Sequence, residues 1–377
     1  MAAGRHPFGL SRALPALALL ALAGCAHPSV PPPGTGRLRL EPARFADLPG
    51  WRRDVLADAV PALAKSCPPL LRSKAAAGWR GACAAISRLK PGDRQAARHF
   101  FEHWFRPYLV TANGSATGLF TAYYEPEIKG ARHRHGPYTV PLLARPSDLV
   151  TVDPARFHKG FDHRRLVGRV EDGRLVPYPT RARIEAGALG RRARPLFWLE
   201  DPVAAAILQI QGSGLIALPD GTVRQVGVAA TNGREFVGPG RILAERGIHV
   251  APDMPAIRDW LRAHPRQAKS VLDANPRYVF YRLMPHKGPV GTEGVVLTPG
   301  RSLAVDPRYI ALGTPLWLDT TAPGGKPIRR LVVAQDTGGA IKGPVRGDLF
   351  WGIGEAAFSQ AGRMKAPGRY WLLLPKR

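Results

Sequence analysis

The sequence predicts a mostly β protein with flanking helices. Three observations point there. Short apolar runs rich in β-branched and aromatic residues recur, among them Gly118–Glu125, Leu331–Ala334 and Tyr370–Leu374; runs of this length and make-up read as strands. Glycine and proline punctuate the intervals and keep the connections turning. Helical spacing of apolar residues is confined to a few segments: Arg53 to Lys65, the stretch after Asp93, and part of Met254 to Leu272. At 377 residues the chain is long enough for two domains with a large core.

The first residues set the compartment. Arg5 and Arg12 form a basic start, and Leu14 to Ala21 is an apolar core too short to span a bilayer. Leu22-Ala23-Gly24-Cys25 resembles a bacterial lipoprotein cleavage box. Residues 1–24 are then a lipoprotein signal peptide and Cys25 is the lipidated N-terminus; an ordinary secretory signal is the alternative. Ala26, in place of an acidic residue, favours the outer membrane over the inner. Residues 25–39, with Pro28, Pro31, Pro32 and Pro33, make a stiff tether. Cys67 and Cys83 would sit in an oxidising compartment, where they either pair or stay as two buried thiols.

The formal net charge of +26 attracts polyanions. No zinc-finger spacing, basic helix or RNA-binding aromatic motif accompanies it, and arginine is spread along the chain, so nucleic acid is not expected as a partner. An arginine-rich surface without a specific role is the plain reading, and attraction to anionic wall or outer-membrane lipid is the functional one.

Val55, Leu56, Ala59, Val60 and Leu63 line one side of the first helix. Asp93 is a plausible N-cap for the next, where Ala97, Phe100, Phe101, Trp104 and Phe105 form a buried stripe rather than a sugar-stacking face, and Pro107 ends it. In the strand Gly118–Glu125, Thr121 and Tyr123 point to one face and Tyr124 to the other. Tyrosine offers a flat side for a sugar ring and a hydroxyl for its edge. Glu125 reads as structural. The chain that follows is a series of short strands, with Asp172-Gly173 as a hairpin turn. Leu208 to Gly214 alternates like a strand, and its Gln211 and Ser213 either hydrogen-bond a ligand or cap a hairpin. Asn275 to Tyr281 reads as a strand returning to the first domain. Leu297 to Leu318 reads as strand, turn, strand, with Asp306 making an Asx-type turn before Pro307. Tyr370–Leu374 closes the chain.

One stretch carries chemistry. Leu331 to Gly352 reads LVVAQDTGGAIKGPVRGDLFWG. Asp336 stands where a buried strand ends, and Gly338-Gly339 are expected to force a turn through backbone angles open only to glycine. Asp348 follows twelve residues later beside Leu349, Phe350 and Trp351. Two acids on glycine-rich turns beside aromatic residues suit glycosidic chemistry. The stretch resembles the C-terminal signature of the MltA family of lytic murein transglycosylases, and Gly118–Pro126, Leu208–Gly214 and Val226–Ile242 are similar to other segments of that family.

The resemblance implies a double-psi β-barrel (residues 40–126 and 285–377, with helical cover) interrupted by an inserted β domain (127–284). It implies cleavage of the MurNAc–GlcNAc bond of peptidoglycan without water, leaving a 1,6-anhydro sugar, by one catalytic aspartate. That residue is Asp348, with Asp336 in support. Thr121, Tyr123, Tyr124, Gln211, Ser213, Gly338, Gly339 and Lys342 would hold the glycan. No cofactor and no metal are implied. The partners are peptidoglycan strands and, through Cys25, the periplasmic face of the outer membrane, with a complex with cell-wall synthases left open. Two positions depart from the family: Val228 where tyrosine is more usual, and Pro239 where an aliphatic residue is.

Rival motifs are weak. Asp336-Thr337-Gly338 mimics an aspartic protease loop, but two such loops are needed and the chain has one. His133, His135, His158 and His163 match no zinc spacing. A wall-binding protein without activity is the alternative from another class.

Overall fold

The computed structural model describes residues 36–158, 160, 165–285 and 288–376. The leader, Cys25 and most of the tether lie outside these residues, as does His163. In chain order, β1 (Leu38–Pro42) precedes three helices, α1 (Val60–Arg72), α2 (Ala76–Ile86) and α3 (Arg94–Trp104), and then β2 (Phe105–Ala112) and β3 (Gly118–Glu125). A second unit follows: β4 (Glu127–Ala131), β5 (Val140–Leu143), β6 (Val150–Val152), β7 (Leu166–Glu171), β8 (Arg174–Pro177), α4 (Arg181–Glu185), β9 (Pro195–Leu199), α5 (Pro202–Gln211), β10 (Ser213–Ala217), β11 (Val223–Thr231), α6 (Pro239–Glu245), α7 (Met254–Ala263), α8 (Pro265–Asp273) and β12 (Val279–Leu283). The chain then returns with β13 (Ser302–Ala304), β14 (Pro315–Thr321), β15 (Pro327–Asp336), β16 (Arg346–Ile353), α9 (Gly354–Ala361) and β17 (Lys365–Pro375).

The first and last parts of the chain share one sheet, ordered β1-β2-β17-β14-β15-β13-β16-β3, and β3 also pairs with the start of β17. That last pairing closes six strands into a ring. The apolar runs of the sequence follow from it, because both faces of the strands are buried. Leu316, Leu318, Val332, Ala334, Tyr370 and Leu372 pack in one core with Phe120 and Leu349. Their neighbours Trp317, Leu331, Val333, Trp371 and Leu373 point the other way, into a second core roofed by α1, α2 and α3. The period of two survives within a run that looks uniformly apolar.

The helical roof departs from the sequence reading in register. The expected helix from Arg53 is a 3-10 turn at Leu56–Ala59 followed by α1, which starts at Val60 and runs on through Pro68 and Pro69 to Arg72. Asp93 caps α3 as expected, accepting from the Ala96 amide at 2.9 Å, and Phe100, Phe101 and Phe105 are buried in the roof core. Pro107 lies within β2, a strand the sequence did not announce; α3 has already ended at Trp104. Cys67 in α1 and Cys83 in α2 are joined by a disulfide, sixteen residues apart with Cα atoms 5.6 Å apart. A loop of that size contributes about 3 kcal/mol in the chain-entropy account. C83S is expected to lower stability by about that much, read as a lower denaturant midpoint under oxidising conditions.

The second unit has a six-stranded sheet, β12-β11-β10-β4-β9-β5, and a small sheet, β6-β7-β8. Asp172 and Gly173 both take positive φ, 48° and 76°, which is the hairpin turn expected between β7 and β8. Two readings are corrected here. Leu208 to Gln211 is not a strand but the end of α5. Asp201 caps that helix, accepting from the amides of Val203 (2.7 Å) and Ala204 (3.2 Å). Pro202 stands in its first turn, and Gly212, at φ 88°, ends it. Caps at both ends outweigh four residues of alternation. The strand after Asn275 pairs with β11 inside the second sheet instead of joining the first. The segment Met254 to Leu272 is two helices, broken at His264 before Pro265. Pro239, one of the two family departures, sits in the first turn of α6, where its fixed φ is suited to helix entry. Val228, the other, is 43% exposed on β11.

Candidate active site

Strand register brings the two aspartates together. Ala304 of β13 lies opposite Asp348 of β16 on one side and Asp336 of β15 on the other. On the far side of Asp348, β3 places Thr121 in register with it. The row across four strands is therefore Asp336, Ala304, Asp348, Thr121. Neighbouring strands lie about 4.8 Å apart, so the two aspartate backbones are about 10 Å apart with a small side chain between them.

Asp348 and Asp336 are held differently. Asp348 Oδ1 accepts from the Thr121 hydroxyl, and Oδ2 takes no hydrogen bond from any described residue. Burial pushes the Asp348 carboxyl above the usual carboxylate range, and the charge of Asp336 adds to this; the Thr121 hydrogen bond and the charge of Arg346 oppose it. Asp336 instead accepts four hydrogen bonds: from Tyr123 Oη (2.8 Å), from Thr292 N and Oγ1 (both 2.9 Å), and from Thr337 N (2.8 Å). So many donors fix its position and occupy its lone pairs.

Arg346 was not singled out by the sequence, although it stands two residues before Asp348. It is buried and donates to Thr121 Oγ1 at 2.9 Å and to the carbonyls of Leu119 (3.2 Å) and Gly347. Among the described residues it forms no ion pair with Asp348. Its cationic influence reaches the acid beside a threonine hydroxyl, which is weaker than the direct pair that would keep Asp348 ionised. Thr292 was also missed; it lies in a loop without periodicity, and only the fold brings it to Asp336.

The other candidates divide. Tyr123 joins the site through Asp336, and its ring is 5.3 Å from that of Phe350. Tyr124 does not join it: on the opposite face of β3 it is buried in an apolar cluster, its ring 5.1 Å from Phe358 of α9. Ser213 is the first residue of β10, and its hydroxyl donates to Glu125 at 2.6 Å. Gln211 ends α5, half-buried. Gly338 and Gly339 do make a turn, with the Ile341 amide bonded to the Gly338 carbonyl at 3.0 Å. Neither has positive φ, so the glycine backbone angles expected there are absent; the left-handed glycine of this loop is Gly343, at 109°. Their amides donate to no described residue. Lys342 is exposed on the same loop.

Asp306 is the brace of that loop. It makes the expected Asx turn, accepting from the Arg308 amide at 3.2 Å, and also accepts from the Gly343 amide at 2.8 Å. Hydrogen bonds from the Arg308 guanidinium hold its carboxyl down to about 2, so it cannot serve as an acid. A cavity of about 800 Å³ lies in the second unit, among Leu142, Trp198 and Leu272. Its carboxylates, Glu185 and Asp201, are ion-paired to Arg181 at 2.9 Å and Arg262 at 2.7 Å. None of the residues around Asp348 lines it. Among the described residues no group of three His, Cys, Asp or Glu converges as a metal site, and no helix is long and apolar enough to cross a membrane.

Comparison with known proteins gives the same neighbourhood. Residues 119–282 match the MltA specific insert domain and residues 301–374 the 3D domain. Over 293 residues the chain is 33% identical to membrane-bound lytic murein transglycosylase A of Escherichia coli K12, covering 75% of this chain and 72% of that one. It is 34% identical to the Vibrio cholerae protein of the same name over 52% of this chain, and the match spans about half of that relative, 55%. The crystal structure of MltA from Neisseria gonorrhoeae is similar at a TM-score of 0.79 and 34% identity, covering 91% of this chain and 94% of that one. E. coli MltA with bound chitohexaose is similar at 0.65 and 26%, covering 84% and 90%. The chain belongs to the MltA family.

Proposed function

We propose that the protein is a lytic transglycosylase of peptidoglycan, cleaving the β-1,4 bond between MurNAc and GlcNAc without water and leaving 1,6-anhydro-MurNAc ends. The observation that carries the reading is Asp348: a desolvated carboxyl, raised above the usual carboxylate range, with one oxygen unbonded and no cation paired to it among the described residues. Such a group can hold a proton and give it up, as one acid serving both halves of the reaction must. Relatives named lytic murein transglycosylases and a glycan-bound family structure support the substrate class.

Asp348 starts protonated. It donates to the bridging oxygen as the C1–O bond of MurNAc breaks. Its carboxylate then takes the proton of the MurNAc C6 hydroxyl while that oxygen bonds to C1. Proton and carboxyl are restored, and no water is consumed. Asp336, fixed by its four donors, holds Tyr123, and its negative charge adds to the burial that raises the Asp348 carboxyl. The amides of Gly338 and Gly339, unbonded among the described residues, would with Lys342 hold sugar oxygens. Incubation with purified murein tests the reading: anhydro-muropeptides are expected, ordinary reducing ends would mean a hydrolase, and binding without products would mean a wall-binding protein.

On this reading the closed ring of six strands is a double-psi barrel, lying within a domain of residues 40–126 and 285–377 that includes its helical cover, with 127–284 inserted. Cys25 carries the lipid that holds the enzyme at the periplasmic face of the outer membrane; "membrane-bound" in the relatives' names supports an anchor. Thr121→Val gives a separate expectation. Thr121 donates to the ionised carboxylate and holds its pKa down. Without it the pKa rises further, so the alkaline limb of the rate profile should move to higher pH. A limb at unchanged pH would mean the threonine does not bond the reacting carboxyl.

A further inference from the structure

We propose that Glu125 is a positioning residue for this reaction, the tie by which the second unit holds strand β3 and, through it, both aspartates. The proposal rests on the role given to Asp348 above. One face of β3 carries three contacts at alternate residues. Thr121 donates to Asp348, Tyr123 donates to Asp336, and Glu125 accepts from Ser213 Oγ at 2.6 Å and Gln225 Nε2 at 3.3 Å. Ser213 opens β10 and Gln225 lies on β11, both in the second unit. Glu125 is the last residue of β3 before the chain enters that unit at β4. A backbone bond from the Leu215 amide to the Pro126 carbonyl, 2.8 Å, lies beside the tie. A shift of β3 along its own axis therefore moves the partners of both carboxyls at once.

Glu125 is 2% exposed, so it cannot itself touch a glycan. Among the described residues no cation pairs with it. Burial pushes its carboxyl up to about 7, with Ser213 and Gln225 opposing and Asp336 adding to the rise; Tyr123 and Tyr281 are the other titratable groups within its field. A buried carboxyl without a cation costs stability, and an apolar side chain would serve packing alone better. The group is explained by its two hydrogen bonds, which an apolar residue cannot make.

The test separates a tie from packing. Glu125→Ala is expected to lower kcat on purified murein about 10- to 100-fold, the effect of misplacing a catalytic group by about 1 Å, with KM nearly unchanged. Glu125→Gln can still accept from Gln225 and donate to Ser213, so it should keep kcat within about threefold. Ser213→Ala should lower kcat without raising KM, and the double variant E125A/S213A should be no slower than E125A, since the Ser213 contact is already lost in E125A. The proposal is overturned if E125A turns over within about twofold of the parent, if E125Q falls as far as E125A, or if the two single effects add. Where E125A does not fold, S213A decides: a parental kcat there overturns the tie. Asp348→Ala in parallel keeps the two claims apart. Activity in that variant defeats the assignment of the acid, whereas an inactive D348A beside an unaffected E125A defeats the tie alone.

Discussion

Asp348→Asn is expected to reduce release of anhydro-muropeptides from purified murein about 1,000-fold, within the range a positioned acid–base group contributes. Glycan binding should survive, because the amide is nearly isosteric and the Thr121 hydroxyl can still donate to its oxygen. Turnover within about tenfold of the parent would show that the proton comes from another group. The pH dependence gives a second check with a definite sign. In the proposed mechanism the reaction begins from the protonated carboxyl, and burial raises the pKa, so the rate should hold as pH rises past about 4, the ordinary aspartate value, and fall only at higher pH. A rate that declines through pH 4 would show an unperturbed acid. Linkage supplies a third readout. A carboxyl whose pKa is higher in the folded than in the unfolded state contributes stability below its unfolded pKa and loses it as pH rises through its folded pKa. At neutral pH Asp348 is therefore a burden on the fold, and the Asn variant should melt at a higher temperature than the parent.

Arg301→Ala should cost the most stability, about 3–5 kcal/mol, because it strands a buried carboxylate. Arg301 and Asp54 are both nearly fully buried and meet through two bonds, Nη1 to Oδ2 at 2.8 Å and Nη2 to Oδ1 at 2.9 Å. The guanidinium also donates to the carbonyls of Leu331 and Val55, each at 3.0 Å, and Asp54 accepts from the Leu331 amide at 2.9 Å. The pair thus fastens the segment leading into the helical roof to β15, five residues before Asp336. The denaturant midpoint should fall at unchanged slope. Replacing both partners, R301M with D54L, should recover most of the loss, since no buried charge is then left unpaired; Asp58, which also meets Arg301 at 3.3 Å, is exposed and stays solvated. A double variant as unstable as R301A would place the loss in the carbonyl contacts instead.

Much of the fold follows from local rules. The runs at Leu331–Ala334 and Tyr370–Leu374 are strands because their composition allows little else, and Asp93 caps a helix whose aromatic stripe is buried as its spacing requires. The misreadings came where two local signals competed. Leu208-Gln209-Ile210-Gln211 alternates like a strand, yet Asp201-Pro202 before it and Gly212 after it make it a helix. Tyr124 offers the same aromatic surface as Tyr123, and only packing shows that it faces Phe358.

From residues alone came the pair of acids on a shared glycine-rich stretch, the strands at Gly118–Glu125, Leu331–Ala334 and Tyr370–Leu374, and the family resemblance. What three-dimensional assembly added is the difference between those acids. Asp336 is surrounded by donors and Asp348 is desolvated beside one hydroxyl, and the donor of that hydroxyl, Thr121, lies 227 residues away in the chain. A proton's affinity for a carboxyl depends on what lies within a few ångströms of it, and neighbours at that distance are chosen by strand pairing, not by sequence order.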